Sequence, residues 1–104
     1  MSSSSSKKKA KPQRSFRYKI YFTDNHIETH TLPAGKKTLT LEEAQQIVGG
    51  RIQLVRGLDK KMVLVVNEEG MLKQLPRNFE AGLLVSLKAQ LYGNVIYCSN
   101  KLMN

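Results

Sequence analysis

From Phe16 the chain alternates apolar and polar positions, with Phe16, Tyr18, Ile20 and Phe22 on one side and Arg17, Lys19 and Tyr21 on the other. A two-residue period of this kind predicts a strand with one buried face. Thr23, Asp24, Asn25 and His26 are turn formers, and Ile27 to Leu32 reads as the return strand of a hairpin, ended by Pro33, Ala34 and Gly35. Thr40 and Glu43 then stand at capping-box spacing, in which hydroxyl and carboxylate each satisfy an unpaired N–H at a helix start. A short helix is expected from Leu41 to about Val48, with Leu41, Ala44, Ile47 and Val48 on its apolar side and Gly49 and Gly50 as its stop.

The strongest signals follow. Arg51 to Arg56 and Met62 to Val66 are strand-like runs at hairpin spacing across Gly57 to Lys61. Asn67, Glu68, Glu69 and Gly70 make a second turn, with Asn suited to its opening position and Gly to a left-handed φ. Met71 to Leu75 reads as a short edge strand limited by Pro76, which has no N–H to give to a ladder. Asn78 is a good N-cap, and Phe79, Leu83, Leu84, Leu87 and Leu91 form a helical stripe reaching Tyr92, with Gly93 as the stop. Val95 to Cys98 is the last strand, after which Ser99 to Asn104 should fray. The order β-β-α-β-β-α-β predicts a single small α+β domain over residues 16–104. Its sheet should be mainly antiparallel, with about four to six strands and both helices on one face.

Leu41, Gly50, Ile52, Val65, Asn67, Glu68, Glu69, Gly70, Leu72, Leu75, Asn78, Gly93, Asn94, Val95 and Ile96 carry a resemblance. With a strand ending in N-E-E-G-x-L and a closing G-N-V-hydrophobic strand, Leu41 to Ile96 resembles a small domain family of bacteriophages and large DNA viruses whose function is unknown. The resemblance implies a viral or phage source and brings no activity, cofactor or catalytic residue with it.

Charge changes the picture once it is divided along the chain. Of the formal +9, residues 1–15 supply +5 through Lys7, Lys8, Lys9, Lys11 and Arg14, without one acid. Residues 16–104 hold 12 basic and 8 acidic side chains, a balance of +4. The serine run, lysine cluster and Pro12 offer almost nothing apolar to offset the entropy of ordering them, so residues 1–15 are expected to form a disordered basic tail. The single cysteine, Cys98, excludes an intramolecular disulfide and a multi-thiolate metal site within one chain. No apolar run is long enough for a membrane span, and no apolar core follows the N-terminal lysines as in a secretory signal. The expectation is a soluble intracellular protein with no membrane partner, in the host cell nucleus or cytoplasm or packaged in a virion.

The candidate chemistry is electrostatic. Lys7, Lys8, Lys9, Lys11 and Arg14 make a flexible cation able to neutralise phosphates by counterion release, with strong salt dependence and no base specificity. The same KKAK run also fits a nuclear-import pattern, and a solubilising tail is the bland alternative. In FRYKIYF the alternation assigns Phe16, Tyr18, Ile20 and Phe22 to the core, leaving Arg17, Lys19 and Tyr21 as an outward surface on which bases can stack. Glu68 and Glu69 resemble a carboxylate pair, yet adjacent residues point apart, and with Asn67 and Gly70 they read as structural turn residues. His26, Glu28 and His30 share one side of a strand, but His26 is better placed in the turn, and no metal site or cofactor is expected. Cys98 has no neighbouring base and reads as a buried inert thiol.

The leading expectation is a non-enzymatic viral accessory or virion-associated protein whose tail contacts nucleic acid non-specifically while the folded domain docks a host or viral protein. The competing reading is a protein–protein interaction module or host-factor inhibitor whose tail serves solubility or nuclear import. A small-molecule binder or minimal enzyme is a third class, and no convergent polar residues support it. The Phe16 to Phe22 edge permits a weak dimer without demanding one, so a monomer or weak dimer is expected.

Overall fold

The elements follow the order read from the sequence: β1 (Arg17–Tyr21), β2 (Ile27–Thr31), α1 (Leu41–Val48), β3 (Ile52–Arg56), β4 (Met62–Asn67), α2 (Phe79–Gly82) and β5 (Val95–Ser99). The computed structural model describes residues 16–33, 35–85 and 90–103. The strands form one five-stranded sheet in the order β2-β1-β5-β4-β3, antiparallel at every pairing. Two local hairpins make its halves, and the last strand joins them by pairing Ile96 with Ile20 on one side and with Val65 on the other.

The capping box of α1 forms as its spacing predicts. Glu43 N–H donates to Thr40 Oγ1 at 3.2 Å and Thr40 N–H donates to the Glu43 carboxylate at 3.2 Å. Gly49 ends the helix at φ 88°, a left-handed conformation that costs a residue with Cβ about 1 kcal/mol or more. Ala44 and Val48 are buried, Ile47 packs beside them, and Leu41, expected on the same side, is exposed.

The helices divide between the two faces of the sheet instead of sharing one. Leu32, Leu39, Ala44, Val48, Val65, Ile96, Cys98 and Leu102 pack together beneath α1. Tyr21, Leu64, Val66, Ala81, Val85, Leu91 and Val95 form a second cluster on the opposite face, which α2 enters through Ala81. Successive residues of a strand point to opposite sides, so central strands covered on both sides need unbroken apolar runs. Leu64-Val65-Val66 and Val95-Ile96 are such runs, and so is Ile20-Tyr21.

Three local departures have identifiable causes. Met71 to Leu75 is a turn and not an edge strand: Lys73 N–H donates to Glu69 O, Leu75 N–H to Gly70 O, and Gln74 is left-handed at φ 57°. The expected longer helix stops at Gly82. Asn78 caps it by accepting from Ala81 N–H at 3.1 Å, but Leu84 N–H turns back to Ala81 O and the Leu84 carbonyl accepts from Leu58 N–H at 2.8 Å. That cross-chain bond occupies an oxygen that a continuing helix would need, and glycine in a helix interior already costs about 1 kcal/mol. Phe79 and Leu83 are consequently exposed, Leu91 is buried in extended chain, and Leu87 lies outside the described residues. Lastly, the chain after Ser99 forms a turn of 3-10 helix, Asn100–Met103, anchored by the buried Leu102 and by Leu39 N–H donating to its carbonyl at 2.7 Å. It does not fray over those residues.

Candidate nucleic-acid interface

The second face of the sheet is covered over only part of its area. In register across it, Lys19 stands beside Thr29 on one side and Tyr97 on the other, and Tyr97 stands beside Leu64. Toward Tyr21, Leu64 and Val95 this face is buried under Ala81, Val85 and Leu91. Toward Arg17 it opens into a shallow depression of about 380 Å³ lined by Arg17, Tyr18, Lys19, Thr29, Met62 and Tyr97. Two cations, a hydroxyl, a thioether and an aromatic ring thus meet on one surface, and no carboxylate lines it.

Tyr97 is held from below. Its ring meets that of Tyr21 edge-on, with centroids 6.2 Å apart and planes at 87°, a favoured aromatic geometry. Burial, and secondarily the Asp59 carboxylate, raise its phenol pKa above the usual tyrosine value, so the hydroxyl stays neutral at physiological pH. Of the three residues expected on this surface, Arg17 and Lys19 are exposed and Tyr21 is buried. Tyr21 is a correction: β1 lies inside the sheet, so its outward side at this position faces the second core and not solvent. Tyr97 takes the place expected of it. Its signal in the sequence was its alternation with the buried Ile96 and Cys98, which points it to the side opposite α1.

The same end of the sheet gathers charge. β1 begins there at Arg17, β3 ends at Arg56, and the β3–β4 turn carries Lys60 and Lys61. Asn100 N–H donates to Lys61 O at 2.9 Å, bringing Lys101 to this turn. Asp59 is the acid of the turn and accepts from Lys61 N–H. Lys7, Lys8, Lys9, Lys11 and Arg14 lie outside the described residues, but their segment joins the domain at Phe16, immediately before Arg17.

The remaining candidates are structural. Asn67 opens the turn as expected, with its side-chain oxygen accepting from Glu69 N–H at 2.8 Å and its amide donating to Val48 O at 3.2 Å, so it ties the turn to the end of α1. Glu68 is exposed and Glu69 half-buried on this turn. Gly70 is not left-handed. It is small because a Cβ there would lie 3.0 Å from Tyr92 Cβ and 3.3 Å from Tyr92 O. On β2, the Glu28 carboxylate sits 3.0 Å from Nε2 of both His26 and His30, and those hydrogen bonds, His30 first, lower its pKa. Among the described residues no group of three His, Cys, Asp or Glu is placed to hold a metal ion. Cys98 is fully buried, and desolvation pushes its thiol up to about 11. No helix among the described residues is long and apolar enough to cross a membrane.

A second depression, about 270 Å³, lies between β3, β4 and the turn: Val55, Val66, Glu68, Met71 and Tyr92 are among its walls. Met71, Leu72, Phe79 and Leu83 are exposed along the neighbouring segment, where the Arg77 guanidinium stands 4.9 Å from the Phe79 ring centroid. Compared with known proteins, residues 22–102 match a family described as a domain of unknown function, DUF3846. Neither the curated proteins nor the solved structures contain a significant match.

Proposed function

The chain belongs to the DUF3846 family, and we propose that it is a non-enzymatic accessory protein that binds nucleic acid without sequence preference through its basic tail while the folded domain docks a protein partner. Carrying this reading is the placement of charge: five cations and no acid in residues 1–15, joined to the sheet end where Arg17, Arg56, Lys60, Lys61 and Lys101 gather. A cationic segment beside a basic platform lowers its free energy by releasing condensed counterions from a phosphate backbone, whatever the base sequence. A viral or virion-associated setting belongs to this proposal through the resemblance at Leu41 to Ile96.

The docking half of the proposal is supported by the exposed Met71, Leu72, Phe79 and Leu83, of which Met71 lines the depression at Tyr92. The test is fluorescence anisotropy with a short DNA duplex at 50 mM salt, using the full chain and a chain lacking residues 1–15. Deletion is expected to weaken binding at least about tenfold. Equal affinities would show that the tail does not drive it.

A further inference from the structure

We propose that the open half of the second sheet face is a binding site for single-stranded nucleic acid, with a base stacked on Tyr97 and its flanking phosphates on Arg17 and Lys19. The inference rests on the nucleic-acid reading above and adds to it a site within the folded domain and a preference for unpaired strands. Its warrant is the composition of one surface. Arg17 and Lys19 project from β1 on the side where Tyr97 projects from β5, and Lys19 and Tyr97 are direct neighbours in register. Thr29 and Met62 also line this surface, offering a hydroxyl and a polarisable edge beside the ring.

The geometry favours an unpaired base over other acidic ligands. In a duplex the base faces are consumed by stacking, so a tyrosine on a sheet can meet one only where the strand is single and the base turned out. A sheet surface with an aromatic platform and cations one strand away fits a sugar–phosphate backbone running across the strands. Tyr97 keeps its proton, so no phenolate opposes the phosphates. Tyr21 braces the ring edge-on from the buried side, which limits the freedom lost on stacking. An acidic peptide would use Arg17 and Lys19 alone and leave the ring without a role.

The experiment compares a 12-nucleotide oligothymidine with a 12-base-pair duplex, by anisotropy with the full chain. Tyr97→Leu should lower affinity for the single strand roughly 5- to 150-fold, the range for loss of one stacked base, and leave the duplex within twofold. Tyr97→Phe, which keeps the aromatic face, should bind the single strand within about threefold of the unaltered chain. Equal losses on both nucleic acids, or none, overturn the site. Polyglutamate displacing the oligonucleotide from the unaltered chain, with the affinity unmoved by Tyr97→Leu, overturns it in favour of an acidic-peptide surface. Because Tyr97 touches the core, the unaltered protein gives a second readout. Photocrosslinking to 5-iodouracil DNA should label the peptide containing Tyr97, and labelling confined to residues 1–15 refutes the site while leaving the tail mechanism standing. Failure of the unaltered chain to bind either nucleic acid removes both proposals.

Discussion

Asn78 is the buried polar residue on which the covered half of the second face depends, and its replacement should be among the costliest single changes in the domain. It is 1% exposed. Its amide donates to Tyr21 O at 2.7 Å and to Gly93 O at 2.9 Å, while its oxygen accepts from Ala81 N–H at 3.1 Å. One side chain thereby links the end of β1, the chain entering β5 and the start of α2. Asn78→Ala removes all three bonds, each contributing about 1 kcal/mol net, and leaves carbonyl groups in a dry environment, where an unsatisfied polar group costs about 1–3 kcal/mol. The expected loss is about 3–5 kcal/mol. A domain of this size has roughly 4–13 kcal/mol in total, so about a quarter or more of its stability should disappear. In urea, with an m-value of about 1 kcal/mol/M, the midpoint should fall by roughly 3–5 M. Asn78→Asp sharpens the test. It keeps the acceptor for Ala81 but turns an oxygen toward the Tyr21 and Gly93 carbonyls, and should cost at least as much as alanine. A loss below about 1 kcal/mol for Asn78→Ala, or near-native stability for Asn78→Asp, would refute the reasoning by showing that only the helix cap matters.

Gly70→Ala should cost about 1–3 kcal/mol by urea unfolding, because the new methyl meets Tyr92 Cβ at 3.0 Å and Tyr92 O at 3.3 Å. Leu102→Ala should cost about 2–5 kcal/mol in the same measurement, against nearly nothing if the C-terminal turn were frayed. Cys98 should resist a thiol reagent in the native state and react on unfolding. Its raised thiol pKa, from 9.0 to about 11, also sets an alkaline limit. The folded state holds this proton more tightly, so the stabilisation is complete below pH 9 and roughly 3 kcal/mol of it is lost as pH rises to about 11. Tyr18, Tyr21 and Tyr97, all raised by burial, act in the same direction above pH 10. Urea midpoints should therefore fall from pH 9 upward, and less steeply between pH 9 and 10 in Cys98→Ala.

Local chemistry was the most legible part of the chain. The Thr40–Glu43 box, the Gly49 stop and the Asn67 turn are each closed by bonds within a few residues, so spacing alone locates them. What escaped was set by distant partners. The alternation of Phe16 to Phe22 implied one buried face, whereas both Ile20 and Tyr21 are buried because β5, far along the chain, places β1 inside the sheet. The leucine stripe after Asn78 reads as helical until the Leu58 N–H claims the Leu84 carbonyl, a bond no periodicity reveals. Gly70 was expected to relieve a backbone angle and instead relieves crowding against Tyr92, 22 residues later in the chain. For the candidate interface, Arg17 and Lys19 were legible as outward cations, while Tyr97 needed the register of β5 against β1 before it could be placed beside them.

The division of labour between a folded scaffold and a cationic tail is tested most directly by the salt dependence of duplex binding with the full chain and the chain lacking residues 1–15. If the five tail cations each displace a counterion, the plot of log affinity against log salt should be steeper for the full chain by about 4.5. Equal slopes for the two proteins, or a flat response in both, would contradict a tail-driven electrostatic mechanism.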